Sequence, residues 1–198
     1  MNLPALSPLI LFTLVSTISP GGATALVAAS GAHFGLRRSL PLVAGIAAGL
    51  ASMAAAAALG LAGLLQALPA LQLAMKVAGS VYLAWLAWRL GRAGKPGAAA
   101  AAQPRSCIGG IGMVWHNPKG WAMTLGAAAS FAALATEPPR LALLLGLVFG
   151  VAAALSLLLW CLGGQVLART LRSERQWRAL NLLLGLLLLG SIVPMWLD

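Results

Sequence analysis

The stretch that decides the fold is TLVSTISPGGATALV, residues 13–27. It lies inside an apolar run long enough to cross a membrane, yet Ser19, Pro20, Gly21 and Gly22 interrupt its centre. Proline lacks an amide hydrogen and clashes with the preceding helical turn, and glycine is a poor helix former. In hydrocarbon no water can serve the backbone groups that such a break releases. Irregular backbone at that depth is tolerated only where protein surrounds it or a cavity adjoins it.

The surrounding composition places the run in a membrane. Of 198 residues, 61% are hydrophobic and 8% are charged, against about 25% charged in soluble domains. Apolar blocks occupy residues 3–35, 39–65, 71–90, 107–134, 141–164 and 179–197, and the last five each approach or exceed the ~20 residues a helix needs to cross. The blocks do not alternate with period two, and lipid admits only helices or closed barrels. The expected fold is all-α, an integral membrane bundle of six transmembrane helices, with broken helices in spans one and four.

The charges orient the spans. Arg37 and Arg38 follow the first, Arg89, Arg92, Lys95 and Arg105 the third, and Arg169, Arg172, Arg175 and Arg178, with Glu174, the fifth. The loop QALPALQL carries no charge, and in ATEPPR Glu137 and Arg140 cancel. The positive-inside rule puts loops one, three and five in the cytoplasm and both termini outside. The net charge of +10 is thus accounted for by loops that touch anionic lipid rather than nucleic acid. The start, MNLPALSPLI, lacks a positive n-region and reads as a retained first helix.

The segment GRAGKPGAAAAAQPR is a flexible, low-complexity connector. It divides the chain into a first three-helix repeat, 1–90, a cytoplasmic linker, 91–106, and a second three-helix repeat, 107–198. Three spans per half make the halves inverted repeats, an arrangement of many secondary transporters. Span four carries Asn117-Pro118-Lys119-Gly120 where span one carries Ser19-Pro20-Gly21. Gly45 and Gly49 of span two correspond to Gly146 and Gly150 of span five, both small-xxx-small patterns that let helices approach.

Proline suits the first position of a helix, and Ser or Asn before it can cap free amides. Both breaks therefore read as starts of half-helices within the membrane, whose unpaired N–H groups and positive dipole end suit a carboxylate. Gly21 and Gly22 let a ligand approach the backbone. The expected substrate-binding residues are Ser19, Pro20, Gly21, Gly22, Asn117, Pro118 and Lys119. Lys119 opposes the helix dipole and belongs either to a cavity or to a snorkelling path toward the surface. His116, beside the second break, is the candidate for proton coupling, whereas His33 reads as an interfacial polar residue and Lys76 as a snorkelling one. Trp85, Trp88 and Trp115 read as interface anchors, and Trp121 as helix packing.

No span holds a carboxylate, the usual equipment of a proton relay. No cluster of His, Cys and acids suggests a metal site, and no cofactor is expected. Cys107 and Cys161 form no CxxC motif.

These residues resemble a known family. Ser19-Pro20-Gly21, then SGAHFGLRRSLPLVAGIAAG, MKVAGSVYLAWLAWRL (75–90) and above all WHNPKGWAMTLGAAASF (115–131) look like the LysE/RhtB family of bacterial amino-acid exporters. The similarity is strongest over spans one to four. It implies a multi-pass exporter of amino acids or related small carboxylate metabolites in the bacterial inner membrane, with no enzymatic activity and no ATP hydrolysis. A homodimer is compatible with it. The family usually reads Ser-Pro-Gly-Pro followed by a polar or acidic residue, where this chain has Gly22 and Ala23, and Val114 stands where a polar residue is often found. The alternatives are a divalent-metal exporter and a membrane thiol–disulfide electron carrier, both on a related six-helix plan.

Overall fold

The computed structural model describes residues 3–61, 70, 73–74, 77, 80–81, 84–85, 87–88, 91–92, 106–135, 137–171, 173–190 and 192–193. Most of the expected linker, 91–106, lies outside these, as do Lys76, Arg89, Lys95, Arg105, Arg172 and Asp198. The described chain is all-helical: α1 (Leu3–Ile18), α2 (Gly22–Ala56), α3 (Cys107–Trp115), α4 (Pro118–Ser130), α5 (Pro138–Thr170) and α6 (Glu174–Gly190). A π-helical turn, Ala57–Leu61, extends α2, and a 3₁₀ turn, Ala132–Leu134, follows α4.

α2 is two arms rather than one rod. Gly35 has φ 77° and ψ 171°, in the region where a side chain would be strained. Ser30 Oγ lies 2.7 Å from Ser39 Oγ, nine residues on, although nine residues of straight helix advance ~13.5 Å. The chain therefore folds back at Gly35, and a single residue replaces the loop expected to hold Arg37 and Arg38, which sit in the first turn of the second arm. The side-chain amide of Gln165 on α5 supports the turn by accepting from Leu36 N at 3.2 Å.

Both arms pack on α5. In the first arm a Cβ on Gly31 would strike the Cys161 carbonyl, and one on Gly164 would strike that of Ala28. In the second, Gly146 and Gly150 meet Ala51, whose carbonyl oxygen and Cβ would lie 3.3 and 3.2 Å from added Cβ atoms. On its other side the second arm meets α3, where Gly45 abuts the Cys107 carbonyl and Gly110 abuts Leu42 and Ile46. Leu9, Leu42, Ile46, Met53, Leu145 and Phe149 form the closed core. A second cluster packs Trp177, Leu180 and Leu184 of α6 on Ala25, Ala28 and Ala29.

Two helices start or end beyond the expected span limits. α6 begins at Glu174 rather than near 179, because Ser173 Oγ accepts from Gln176 N and Gln176 Oε1 accepts from Ser173 N, a reciprocal capping box. α5 runs on to Thr170. Glu174, Arg169, Arg175 and Arg178 thus sit on helices rather than in a loop.

The segments 22–60 and 138–170 are long and apolar enough to cross a membrane, the first being the one folded at Gly35. Along α5, Leu143, Leu147, Val151, Leu155, Leu159, Leu162 and Val166 are all exposed. At 1.5 Å per residue this bare stripe runs ~35 Å, close to the ~30 Å of a hydrocarbon core. An aliphatic surface of that height is a lipid-facing surface.

Candidate functional site

α1 stops at Ile18 and α2 starts at Gly22. The released carbonyls can be followed one by one. Val15 O accepts from Ser19 N (3.2 Å) and Ser16 O from Ser19 Oγ (2.8 Å). Thr17 O accepts from Ser156 Oγ (2.8 Å) and Ile18 O from Trp160 Nε1 (3.1 Å), both on α5. Lys119 Nζ donates to Ser19 O (2.9 Å), to Ser19 Oγ (2.8 Å) and, at 3.4 Å, to Pro20 O. Gly21 O accepts from Ala25 N (2.9 Å) and Thr24 Oγ1 (2.9 Å). Every carbonyl from Val15 to Gly21 thus has a partner, as a dry surrounding demands. The ammonium sits on the negative end of α1, where a cation is favoured.

The second break is built locally. α3 ends at Trp115, and Asn117 Oδ1 accepts from Lys119 N at 3.1 Å, capping α4 with Pro118 in its first turn. Capping directs Lys119 back toward the first break. Gly21 makes room for it, since a Cβ there would lie 3.1 Å from Lys119 Nζ and 3.2 Å from its Cδ. Of the expected residues, Ser19, Pro20, Gly21, Asn117 and Lys119 are therefore joined in one bonded or close-packed set. Gly22 is buried beside them.

Between the breaks lies a cavity of about 50 Å³. Its polar rim includes Gly21, Gly22, Thr24, Asn117 and Lys119, and Ile46, Leu50, Val114, Met123 and Leu157 supply an apolar wall. The amides of Gly22, Ala23 and Thr24 precede the first intrahelical bond, that of Ala25 N, and so belong to the donor-rich end of α2. The space suffices for a few waters at ~10–15 Å³ each, well below the ~300 Å³ of ordinary ligand pockets. Ser156, bonded to Thr17 O, falls near the middle of the exposed stripe on α5, so the first break lies at about half its height.

The remaining residues take other places. His116 is exposed and its Nδ1 donates to Gly112 O at 2.7 Å, outside the cavity lining. His33 Nε2 lies 3.2 Å from Asn181 Oδ1, and its ring packs on Trp177. Trp115 stands edge-on to Trp121 at 5.3 Å and donates to Ser52 Oγ, tying α3 to α2. Trp121 is buried and donates to Trp115 O. Trp85 and Trp88 are exposed, with the Arg92 guanidinium 4.6 Å from the Trp88 ring. Cys107 and Cys161 are free, one exposed and one buried. Thr24, Ser156, Trp160 and Asn181 were not singled out from sequence. For Thr24 and Asn181 a signal existed: the Gly21-x-x-Thr24 capping spacing, and a lone asparagine in a leucine run.

Two half-helix junctions bridged by a lysine, inside a bundle with a bare aliphatic exterior, belong to a membrane protein with an interior polar site. The model of the LysE type translocator family matches residues 14–192, and the chain belongs to that family. It is a membrane-embedded transporter family, which makes this protein a membrane exporter of small molecules. No curated protein and no solved structure shows a significant match.

Proposed function

We propose that the protein exports amino acids with neutral, mainly apolar side chains, or closely related small carboxylates, from the cytoplasm across the bacterial inner membrane. The observation that carries this reading is the Lys119 ammonium on the carbonyls of Ser19 and Pro20. A zwitterion can replace both sides of that contact. Its carboxylate takes the ammonium together with the first-turn amides of Gly22 and Ala23, a charge-assisted contact stronger than ammonium to carbonyl. Its amine takes the carbonyls that Lys119 leaves. The cavity must widen for this to happen, so binding is coupled to separation of the breaks.

Charge sets the preference. The described acids, Glu137 and Glu174, pair with Arg140 and Arg178 at 3.2 and 3.9 Å, in exposed positions, and neither lines the cavity. A cationic side chain would find no counter-charge there, whereas Ile46, Leu50 and Leu157 suit an apolar one.

In this reading the six spans form two inverted repeats, 1–90 and 107–198, around linker 91–106, with loops one, three and five cytoplasmic. Support comes from the shared helix–break–helix plan of α1–α2 and α3–α4. Proton coupling is assigned to His116 on its position beside Asn117, and His116→Gln would then uncouple export from the proton gradient.

The test is amino-acid analysis of medium from cells loaded with dipeptides. Wild type should release particular neutral amino acids at least about tenfold faster than empty-vector cells, and Lys119→Ala, at equal membrane level, should fall to near the vector rate, as expected for loss of a charged contact worth ~1.5–3 kcal/mol. Equal export by the variant would remove Lys119 from the site. No difference between wild type and vector would remove amino acids as the substrate class.

A further inference from the structure

A second, larger cavity of about 520 Å³ opens where α2 folds back, lined by Phe34, Gly35, Leu36 and Arg37 of α2 and by Leu162, Gln165, Val166 and Arg169 of α5. Its chemistry changes along α5. Leu162, Val166 and Arg169 follow one another at i, i+4 and i+7, on one helix face. Leu162 and Val166 are 41% and 60% exposed and end the aliphatic stripe, and Arg169 stands one turn beyond. Hydrocarbon therefore gives way to cation at this cavity, as it does at a lipid headgroup.

The cations there are uncompensated. Among the described residues neither Arg37 nor Arg169 makes an ion pair, and the cavity lining holds no acid. The opposite end of α5 differs, since Arg140 is neutralised by Glu137 at 3.2 Å. Gln165 commits its Oε1 to Leu36 N, and its Nε2 lies beside Gly35, 3.8 Å from where a Cβ would stand. The cavity thus presents two guanidiniums and an amide donor above an apolar wall.

We infer that this cavity holds an anionic phospholipid, its phosphodiester between Arg37 and Arg169 and an acyl chain along Leu162 and Val166. Guanidiniums recognise phosphate oxygens in bidentate fashion, and basic pockets between membrane helices suit anionic headgroups. A freely soluble anion would have no use for a wall continuous with the lipid-facing stripe. Bound there, the lipid would bridge α2 and α5 at the Gly35 turn. The inference does not depend on the substrate assigned above.

The experiment is native mass spectrometry of the delipidated full-length protein titrated with phosphatidylglycerol or phosphatidylcholine. One phosphatidylglycerol should bind about 10- to 30-fold tighter than phosphatidylcholine, the scale of two surface cations. An Arg37→Gln/Arg169→Gln double variant should lose that preference, whereas Arg37→Lys/Arg169→Lys should keep only the part due to charge and Arg140→Gln all of it. Millimolar inorganic phosphate should leave the lipid bound. Equal affinity of the wild type for the two lipids would overturn the inference without recourse to any variant. So would an unchanged preference in the folded Gln variant, or displacement by phosphate, which would mark a soluble-anion site.

Discussion

At the scale of single residues, the contact between Gly21 and Lys119 is the most exposed to test. Gly21 has φ −175°, extended backbone that any residue can adopt, so Gly21→Ala brings no backbone strain. Its methyl group would instead press on the Lys119 side chain at 3.1–3.2 Å, shifting the ammonium off the Ser19 carbonyl. We expect Gly21→Ala to insert normally and to lower export several-fold, read as initial efflux rate at equal membrane level. Wild-type efflux would mean that the ammonium tolerates displacement and that the contact is not part of the transport cycle. The second break was legible because its signals are local, Asn117 capping α4 and Pro118 in its first turn. At the first break the expected Ser19 cap fails, since Ser19 Oγ bonds back to Ser16 O and α2 starts at Gly22, with Gly21 N donating to Thr24 Oγ1. Ser156 and Trp160 were not legible, because a serine or tryptophan in a long apolar run becomes a carbonyl donor only when another helix ends against it. Lys119 is intermediate. Its position in the first turn of a half-helix was readable, but its partner 100 residues away is a product of packing.

At the scale of elements, glycine spacing does more than loosen helices. Gly31 and Gly164 sit at the crossing of the first α2 arm with α5, each against a backbone carbonyl of the other helix. An added methyl group there cannot be absorbed by rotating a side chain, so the helices must part. Gly31→Ala and Gly164→Ala should each destabilise the bundle by about 1–3 kcal/mol, the usual cost of overpacking, and their combination should be less than additive because they widen one crossing. Gly163, one residue away, has nothing within 4 Å of an added Cβ. Gly163→Ala should be neutral or stabilising by up to ~1 kcal/mol, through helix propensity alone. Thermal midpoints in detergent check both signs, and a similar loss at Gly163 would refute the close-contact account. Apolar blocks marked the described helices in sequence, whereas the third block, 71–90, lies largely outside the described residues. Helix ends were less legible, since the Ser173–Gln176 capping box extends α6 into charged sequence and the turn before Arg37 is compressed into Gly35. Hydropathy reports where a helix is buried in lipid, whereas capping and backbone conformation decide where it stops.

At the scale of the whole molecule, orientation and export direction stand together. The folded end with Gly35, Arg37 and Arg169 carries uncompensated cations, whereas at the Pro138 end Arg140 is balanced by Glu137. The positive-inside rule predicts that the first end faces the cytoplasm, the orientation proposed above. The packing is uneven in the same sense. The contacts in which an added Cβ would strike a facing carbonyl, at Gly31, Gly45, Gly110 and Gly164, lie between the break and the cationic end, so in the proposed orientation the closest helix crossings stand on the cytoplasmic side of the site. Single cysteines can read the orientation. In a background of Cys107→Ser and Cys161→Ala, Ser130→Cys at the end of α4 and Thr170→Cys at the end of α5 place exposed, uncharged reporters on opposite faces. A membrane-impermeant maleimide should label Ser130→Cys in intact cells and Thr170→Cys only after permeabilisation. The reverse pattern would turn the molecule over. The cations would then lie outside, the tightly packed glycine crossings would stand between the mid-height site and the outer face, and the arrangement would suit loading substrate from within. The expected pattern instead describes an exporter held shut toward its substrate, for which opening the glycine-packed half is the first step of each cycle.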